Sequence, residues 1–134
     1  MNRVLIDTSA WIEAFSRKGR DKIKKVVDEL IKDNRLAICD LIKVELLQGV
    51  KSEEAFEELR LELETLYDLI MDKKTWDEAA RLAYSLRRKG KTVPLIDVLI
   101  ASMAIRHALP LLHQDRHFDT IASISSLNIY KFER

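Results

Sequence analysis

Four acidic residues, Asp7, Glu45, Asp97 and Asp115, occupy positions where a carboxylate needs explaining. Asp97 is the most informative. It interrupts Thr92-Val93-Pro94-Leu95-Ile96-Asp97-Val98-Leu99-Ile100-Ala101-Ser102-Met103-Ala104, a run apolar enough to be buried on most sides as a helix, with Pro94 near its first turn. A lone buried carboxylate costs on the order of several kcal/mol unless charge or hydrogen-bond donors answer it. Free N–H groups and the helix dipole favour an anion in a first turn, and that role alone would account for Asp97. The sharper reading is a cation or substrate outside the helix end, met by other acids, and the rest of the chain decides between them. Asp7 ends the apolar run Val4-Leu5-Ile6, Asp115 follows Leu111-Leu112-His113, and Glu45 stands among Val44, Leu46 and Leu47.

The elements that must position these acids follow from periodicity. Arg3 to Ile6 reads as a buried strand, and Thr8 or Ser9 as the cap of a short helix through Phe15. Ile23, Val26, Val27, Leu30 and Ile31 recur at helical spacing. Leu36 to Cys39 is a second strand, and Asp40 is placed to cap a helix to Gln48, closed by Gly49. Ser52 opens an acidic helix through Glu64, and Asp68 to Met71 is a weaker third strand. Thr75 is placed to cap a helix from Trp76 to Arg88 that Gly90 ends. The Asp97 helix stops before Pro110. Leu111 to His113 is a strand, a short helix is expected after Phe118, and Ile129 to Phe132 makes a last strand.

Strands alternating with helices predict an α/β fold: a three-layer α/β/α sandwich on a mainly parallel sheet of about four or five strands, with residues 1–134 as one domain. In such a sheet, sites form outside the carboxyl ends of the strands, where Asp7 and Asp115 fall and where the Glu45 helix begins. Carboxylates gathered there repel and raise one another's pKa values. Apart from Arg116, no basic neighbour is obliged to pair with them. A hard divalent cation, Mg²⁺ or Mn²⁺, is the economical counter-charge, and such ions polarise phosphodiesters and activate water.

Composition narrows the alternatives. The chain has 134 residues, 47% apolar and 34% charged, which is globular rather than disordered. No apolar run reaches the roughly 20 residues of a membrane span, and Asp7 comes too early for a signal peptide, so a soluble cytoplasmic protein is expected. One cysteine, Cys39, excludes an internal disulfide and a multi-cysteine zinc site. It reads as a small buried hydrophobe. Three isolated glycines exclude Gly-rich phosphate loops. The net charge is +1, but Arg17 to Lys25 and Arg87 to Lys91 are basic runs, while Glu53 to Glu64 is acidic. Such runs are solvated helix faces or, near a cleft, a seat for a nucleic-acid backbone, with Arg17 to Lys25 the first candidate.

Four segments together resemble the PIN-domain family, and within it the VapC-type ribonuclease toxins of toxin–antitoxin pairs. They are Val4-Leu5-Ile6-Asp7-Thr8-Ser9-Ala10-Trp11, Val44-Glu45-Leu46-Leu47-Gln48-Gly49, Asp97-Val98-Leu99-Ile100-Ala101-Ser102, and Leu111-Leu112-His113-Gln114-Asp115-Arg116-His117-Phe118. Their order and spacing cover nearly the whole chain. The resemblance implies Asp7, Glu45, Asp97 and Asp115 as ligands of Mg²⁺ or Mn²⁺, with Ser9 orienting a ligand or water beside the first acid. It also implies cleavage of single-stranded or structured RNA such as tRNA or rRNA, a cognate antitoxin that covers the cleft, and a homodimer. The chain departs from the family where His113 replaces the usual Thr or Ser two residues before the last acid; its imidazole could still bond a carboxylate or phosphate. His107 and His117 are read as surface or edge residues, and Asp119 as a cap or surface acid. Trp11 and Phe15 are read as core, with an antitoxin or dimer contact as the alternative.

Two other classes compete. Phosphoryl transfer with Asp7 as nucleophile would want a second Asp two residues on, where Ser9 stands, or the paired acids and late lysine of a receiver domain. A PIN-fold RNA- or protein-binding module without catalysis would gain nothing from four clustered acids.

Overall fold

The computed structural model describes residues 2–16 and 21–132. Its elements alternate: β1 (Val4–Ile6), α1 (Thr8–Phe15), α2 (Asp21–Lys32), β2 (Leu36–Cys39), α3 (Asp40–Gln48), α4 (Glu53–Glu64), β3 (Tyr67–Leu69), α5 (Lys73–Arg88), α6 (Leu95–Arg106), β4 (Leu111–Leu112) and α7 (His117–Ala122). The four strands form one parallel sheet in the order β3-β2-β1-β4, flanked by helices. Val4 pairs with Leu36, Ile6 with Leu112, and Cys39 with Leu69. Strands β1, β2 and β4 are buried throughout, as short, continuously apolar strands covered on both faces should be. Each fully buried Leu or Ile among them contributes about 1.5–3 kcal/mol.

The strand order creates the site. The chain runs outward from β1 to β2 and β3, then returns to place β4 on the other side of β1. The loops after β1 and β4 therefore diverge, leaving a crevice at the carboxyl edge between them, where open parallel sheets bind their ligands. Asp7 follows β1 and donates its backbone N–H to the Leu112 carbonyl at 2.9 Å. The β4–α7 loop carries Asp115 to the same edge.

Several helix starts differ from the sequence expectation by a few residues. A carboxylate is a stronger acceptor than a hydroxyl, so Asp7 rather than Thr8 or Ser9 caps α1, and Asp72 rather than Thr75 caps α5. Asp40 is the first residue of α3, whose cap, Cys39, makes no side-chain bond. Gly90 closes α5 with φ +70°, and the following Lys91 N–H returns to the Leu86 carbonyl. The weak third strand is Tyr67–Leu69 instead of 68–71, and α7 begins at His117, ahead of Phe118. Ile129 makes a single parallel bridge to Leu111 and no strand follows. The sheet thus has four strands among the described residues.

Cys39 is buried, and burial pushes its thiol up to about 11, which keeps it inert. Trp11 joins the core, while Phe15 stacks on it at 5.7 Å and remains half exposed. The expectation that both are core therefore holds for Trp11 alone. No described helix is long and apolar enough to cross a membrane.

Candidate active site

Asp7 is only 3% exposed. Its Oδ2 accepts the Ser9 backbone N–H at 2.9 Å and the Ser9 hydroxyl at 2.6 Å. Ser9 Oγ in turn accepts the Gln114 N–H at 3.0 Å. One hydroxyl therefore ties the loop after β1 to the loop after β4, across the crevice. Burial raises the Asp7 pKa, opposed by the Ser9 bonds and supported by the charge of Asp115.

Thr8 connects the next acid. Its hydroxyl donates to Glu45 Oε1 at 2.7 Å, fixing that side chain from α3 against the start of α1. Glu45 does not have the apolar surroundings its sequence neighbours suggest, because α3 is half exposed and Val44 is largely in solvent.

Asp97 lies in the first turn of α6 and is 7% exposed. Its Oδ2 is buried and has no hydrogen-bond partner. Burial, then the charges of Asp115 and Asp7, push its pKa up to about 7, against a lowering by His117; Glu45 adds a smaller upward push. Burial and the neighbouring acids therefore outweigh any lowering by the helix end.

Asp115 accepts the His117 N–H at Oδ1 (2.9 Å), and the His117 ring brings Nδ1 to 2.8 Å from the same oxygen and 3.5 Å from Asp97 Oδ2. Ligand atoms of Asp97, Asp115 and His117 all lie within 4.8 Å of one another. A divalent cation fits this set: two carboxylates and an imidazole converge, and a buried carboxylate oxygen is left without a donor. Asp7 and Glu45 stand outside that tight group yet act on Asp97 through their charge.

His117 is the residue that sequence reasoning misses. Its sequence context reads as a surface or edge position, whereas its ring sits between two of the acids. The signal lies in Asp115-Arg116-His117, two ligand types two residues apart at a strand-to-helix turn. His107 is at an edge as read, its Nε2 3.1 Å from the Ile70 carbonyl. Asp119 is exposed and outside the acidic group.

The departure at His113 has a structural account. The ring is 2% exposed, and Nδ1 accepts the Asp115 N–H at 3.0 Å. A Thr or Ser hydroxyl makes the same bond to the residue two positions on, so the imidazole replaces the hydroxyl in function. Nε2 then carries the proton and lies 3.2 Å from Asp119 Oδ1. His113→Asn, which keeps an acceptor, is expected to retain the turn. His113→Leu leaves the Asp115 N–H without its acceptor, costing about 1–3 kcal/mol. Thermal melts of the two variants check this; equal stability would remove the acceptor role.

Of the basic runs, residues 17–20 lie outside the described residues. Lys22, Lys24 and Lys25 are exposed on α2, with Lys24 3.5 Å from Asp28 and over the Phe15 ring.

The chain has relatives among known families, proteins and solved structures. The PIN domain family matches residues 4–124. The chain is 36% identical over 134 residues to VapC ribonuclease Mb1587 of Mycobacterium bovis, covering 96% of this chain and 98% of that protein. Ribonuclease VapC11 of Mycobacterium tuberculosis is similar to the same extent, 36% over 134 residues with 96% and 98% covered. Among solved structures, VapBC2 from Rickettsia felis, bound to a DNA fragment from its promoter, superposes with a TM-score of 0.77 at 24% identity, covering 95% of this chain and 96% of that one.

Proposed function

Because this chain belongs to the PIN-domain family, in its VapC ribonuclease branch, we propose that it is an endoribonuclease and the toxin of a toxin–antitoxin pair. The observation that carries the reading is the convergence of Asp97 and Asp115 at the crevice between β1 and β4, with a buried Asp97 oxygen left unanswered. Asp7, Glu45, Asp97 and Asp115 would hold a divalent ion, Mg²⁺ or Mn²⁺. Bound there, such an ion supplies Lewis-acid polarisation of a phosphodiester and a lowered pKa for water.

The remaining work belongs to the chain. Ser9 holds the Asp7 carboxylate and the Gln114 backbone in one geometry, and Thr8 orients Glu45, so the acids are set before substrate arrives. Ser9 is poorly placed to attack, since its proton goes to Asp7 and its oxygen already accepts from Gln114. The reading takes water, activated as such an ion would allow, as the nucleophile rather than the ribose 2′-hydroxyl, so that the product keeps a ribose 3′-hydroxyl. Exposed lysines of α2 and Arg116 beside the cleft are available to the RNA backbone, which makes binding weaken with salt. The reading places the protein in the cytoplasm with its RNA, and gives it a protein antitoxin as partner, by likeness to the VapBC pairs.

The test is cleavage of a labelled cellular RNA pool with Mg²⁺ or Mn²⁺, with EDTA, and with Asp115→Asn. Discrete cuts are expected that EDTA abolishes and that the substitution lowers about 10²–10³-fold. RNA binding without cuts, unaffected by either change, would leave a binding module instead of an enzyme.

A further inference from the structure

We propose that His117 is a nitrogen ligand of the metal centre through Nδ1, so that the centre takes a first-row transition ion such as Mn²⁺ in preference to Mg²⁺. The inference rests on the metal-dependent reading above and adds a ligand of a different chemical class to it.

Geometry comes first. Ligand atoms bound at roughly 2.1–2.2 Å and at right angles about an ion sit about 3 Å apart. Nδ1 of His117 lies 2.8 Å from Asp115 Oδ1 and 3.5 Å from Asp97 Oδ2, which brackets that spacing. A hydrogen-bonded or ion-paired imidazole would reach similar distances, but it would aim its ring N–H at an oxygen. Here Nδ1 is buried without a directed hydrogen bond, and so is Asp97 Oδ2. Two buried polar atoms, a ring nitrogen and a carboxylate oxygen, thus face each other 3.5 Å apart without a hydrogen bond to either. Asp97, more than nine-tenths buried, is the second sign of an absent third party.

The ring is also held in place. The His117 backbone N–H is bonded to Asp115 Oδ1, and the next residue, Phe118, is fully buried. The imidazole is therefore brought to the acids by the turn itself.

Chemistry then sets the preference. Mg²⁺ favours oxygen donors in a near-ideal octahedron and parts reluctantly with its waters. An imidazole lone pair gains little on Mg²⁺ and more on transition ions. One such ligand therefore tilts the choice of ion without excluding Mg²⁺.

The experiment uses the full chain and Mn²⁺ itself as probe. Mn²⁺ and Mg²⁺ affinities are measured by calorimetry and competition, and pulsed EPR of the Mn²⁺-loaded protein looks for ¹⁴N coupling from a coordinated imidazole. Wild type is expected to show the coupling and to lose it in His117→Ala. That variant still binds Mn²⁺, but about tenfold or more weakly, with the Mn²⁺-over-Mg²⁺ ratio reduced to a similar degree. His117→Asp, which returns an oxygen donor, restores affinity without the coupling and with the reduced ratio. In the unsubstituted protein, incorporation of ¹⁵N-histidine must change the coupling. Mn²⁺ bound to wild type with no nitrogen coupling, and equally by His117→Ala, overturns the proposal and leaves His117 as a charge partner of the acids. No Mn²⁺ bound by wild type at all overturns the metal reading on which the proposal stands.

Discussion

Asp97→Asn is expected to lower RNA cleavage about 10²–10³-fold and, in the same molecule, to make the metal-free protein harder to unfold at pH 8. The first effect follows from removing a charge at the centre of the acidic group that is proposed to hold the ion. The second follows from linkage. Asp97 ionises near 3.8 in an unfolded chain but at about 7 in the folded one, because it is buried beside Asp115 and Asp7. Between those values the folded state holds a proton that the unfolded state has released, so stability falls as pH rises through the window. Above about pH 7 the folded protein carries the whole unfavourable charge. Asn carries none, so the variant should gain roughly 2–4 kcal/mol there, or about 5–15 °C in Tm. The gain should shrink steadily as pH is lowered toward 4, where wild-type Asp97 is neutral in both states. Melts in EDTA at pH 4, 6 and 8 check it. A variant less stable than wild type at pH 8, or a gain that does not vary with pH, would show that Asp97 is already satisfied within the protein. On the proposed metal site, Mn²⁺ should narrow the gap from the other side, because it would stabilise folded wild type more than a variant lacking one charged ligand.

This opposition of stability and activity explains why Asp97 stands out in the sequence itself. A carboxylate inside Leu95-Ile96-Asp97-Val98-Leu99 breaks a pattern that packing alone would have kept apolar, and such breaks mark function. The strand alternation is equally legible, because Val4-Leu5-Ile6, Leu36-Ala37-Ile38-Cys39 and Leu111-Leu112 are continuous apolar runs between helical periods. Two kinds of detail are not. Caps shift because Asp7 and Asp72 compete with neighbouring hydroxyls for the same N–H groups, a contest that spacing does not decide. His117 escapes because a histidine beside an arginine in a polar turn has no pattern to break. The pairing of Ile6 with Leu112, together with the buried Phe118, brings its turn over the N-terminal end of α6. Ile129 to Tyr130 has the composition of a strand but meets the sheet through one bridge, since β4 itself is two residues long.

Phe118→Ala is expected to be the most destabilising single truncation near the site, by about 3–5 kcal/mol. Against a total of roughly 5–15 kcal/mol, that is a large part of what holds the fold. Phe118 is fully buried in α7, and its ring lies 5.2 Å from that of His113 at an interplanar angle of 47°. Its backbone N–H donates to the Asp115 carbonyl at 3.1 Å. The ring is thus the apolar anchor of the turn that carries Asp115 and His117, while His113 is the polar one. Truncation opens a cavity under both, and the short helix α7 has few other buried side chains, chiefly Ile121, to hold it down. Urea and thermal unfolding of Phe118→Ala and Phe118→Leu measure the effect; Leu should recover about half, since it refills part of the volume. Mn²⁺ should also protect Phe118→Ala less than wild type, because the turn that presents two of the proposed ligands is no longer fixed. A loss below about 1 kcal/mol would mean that α7 is not seated through this ring. The acids would then owe their placement to the Ser9–Gln114 bond and the β1–β4 pairing alone.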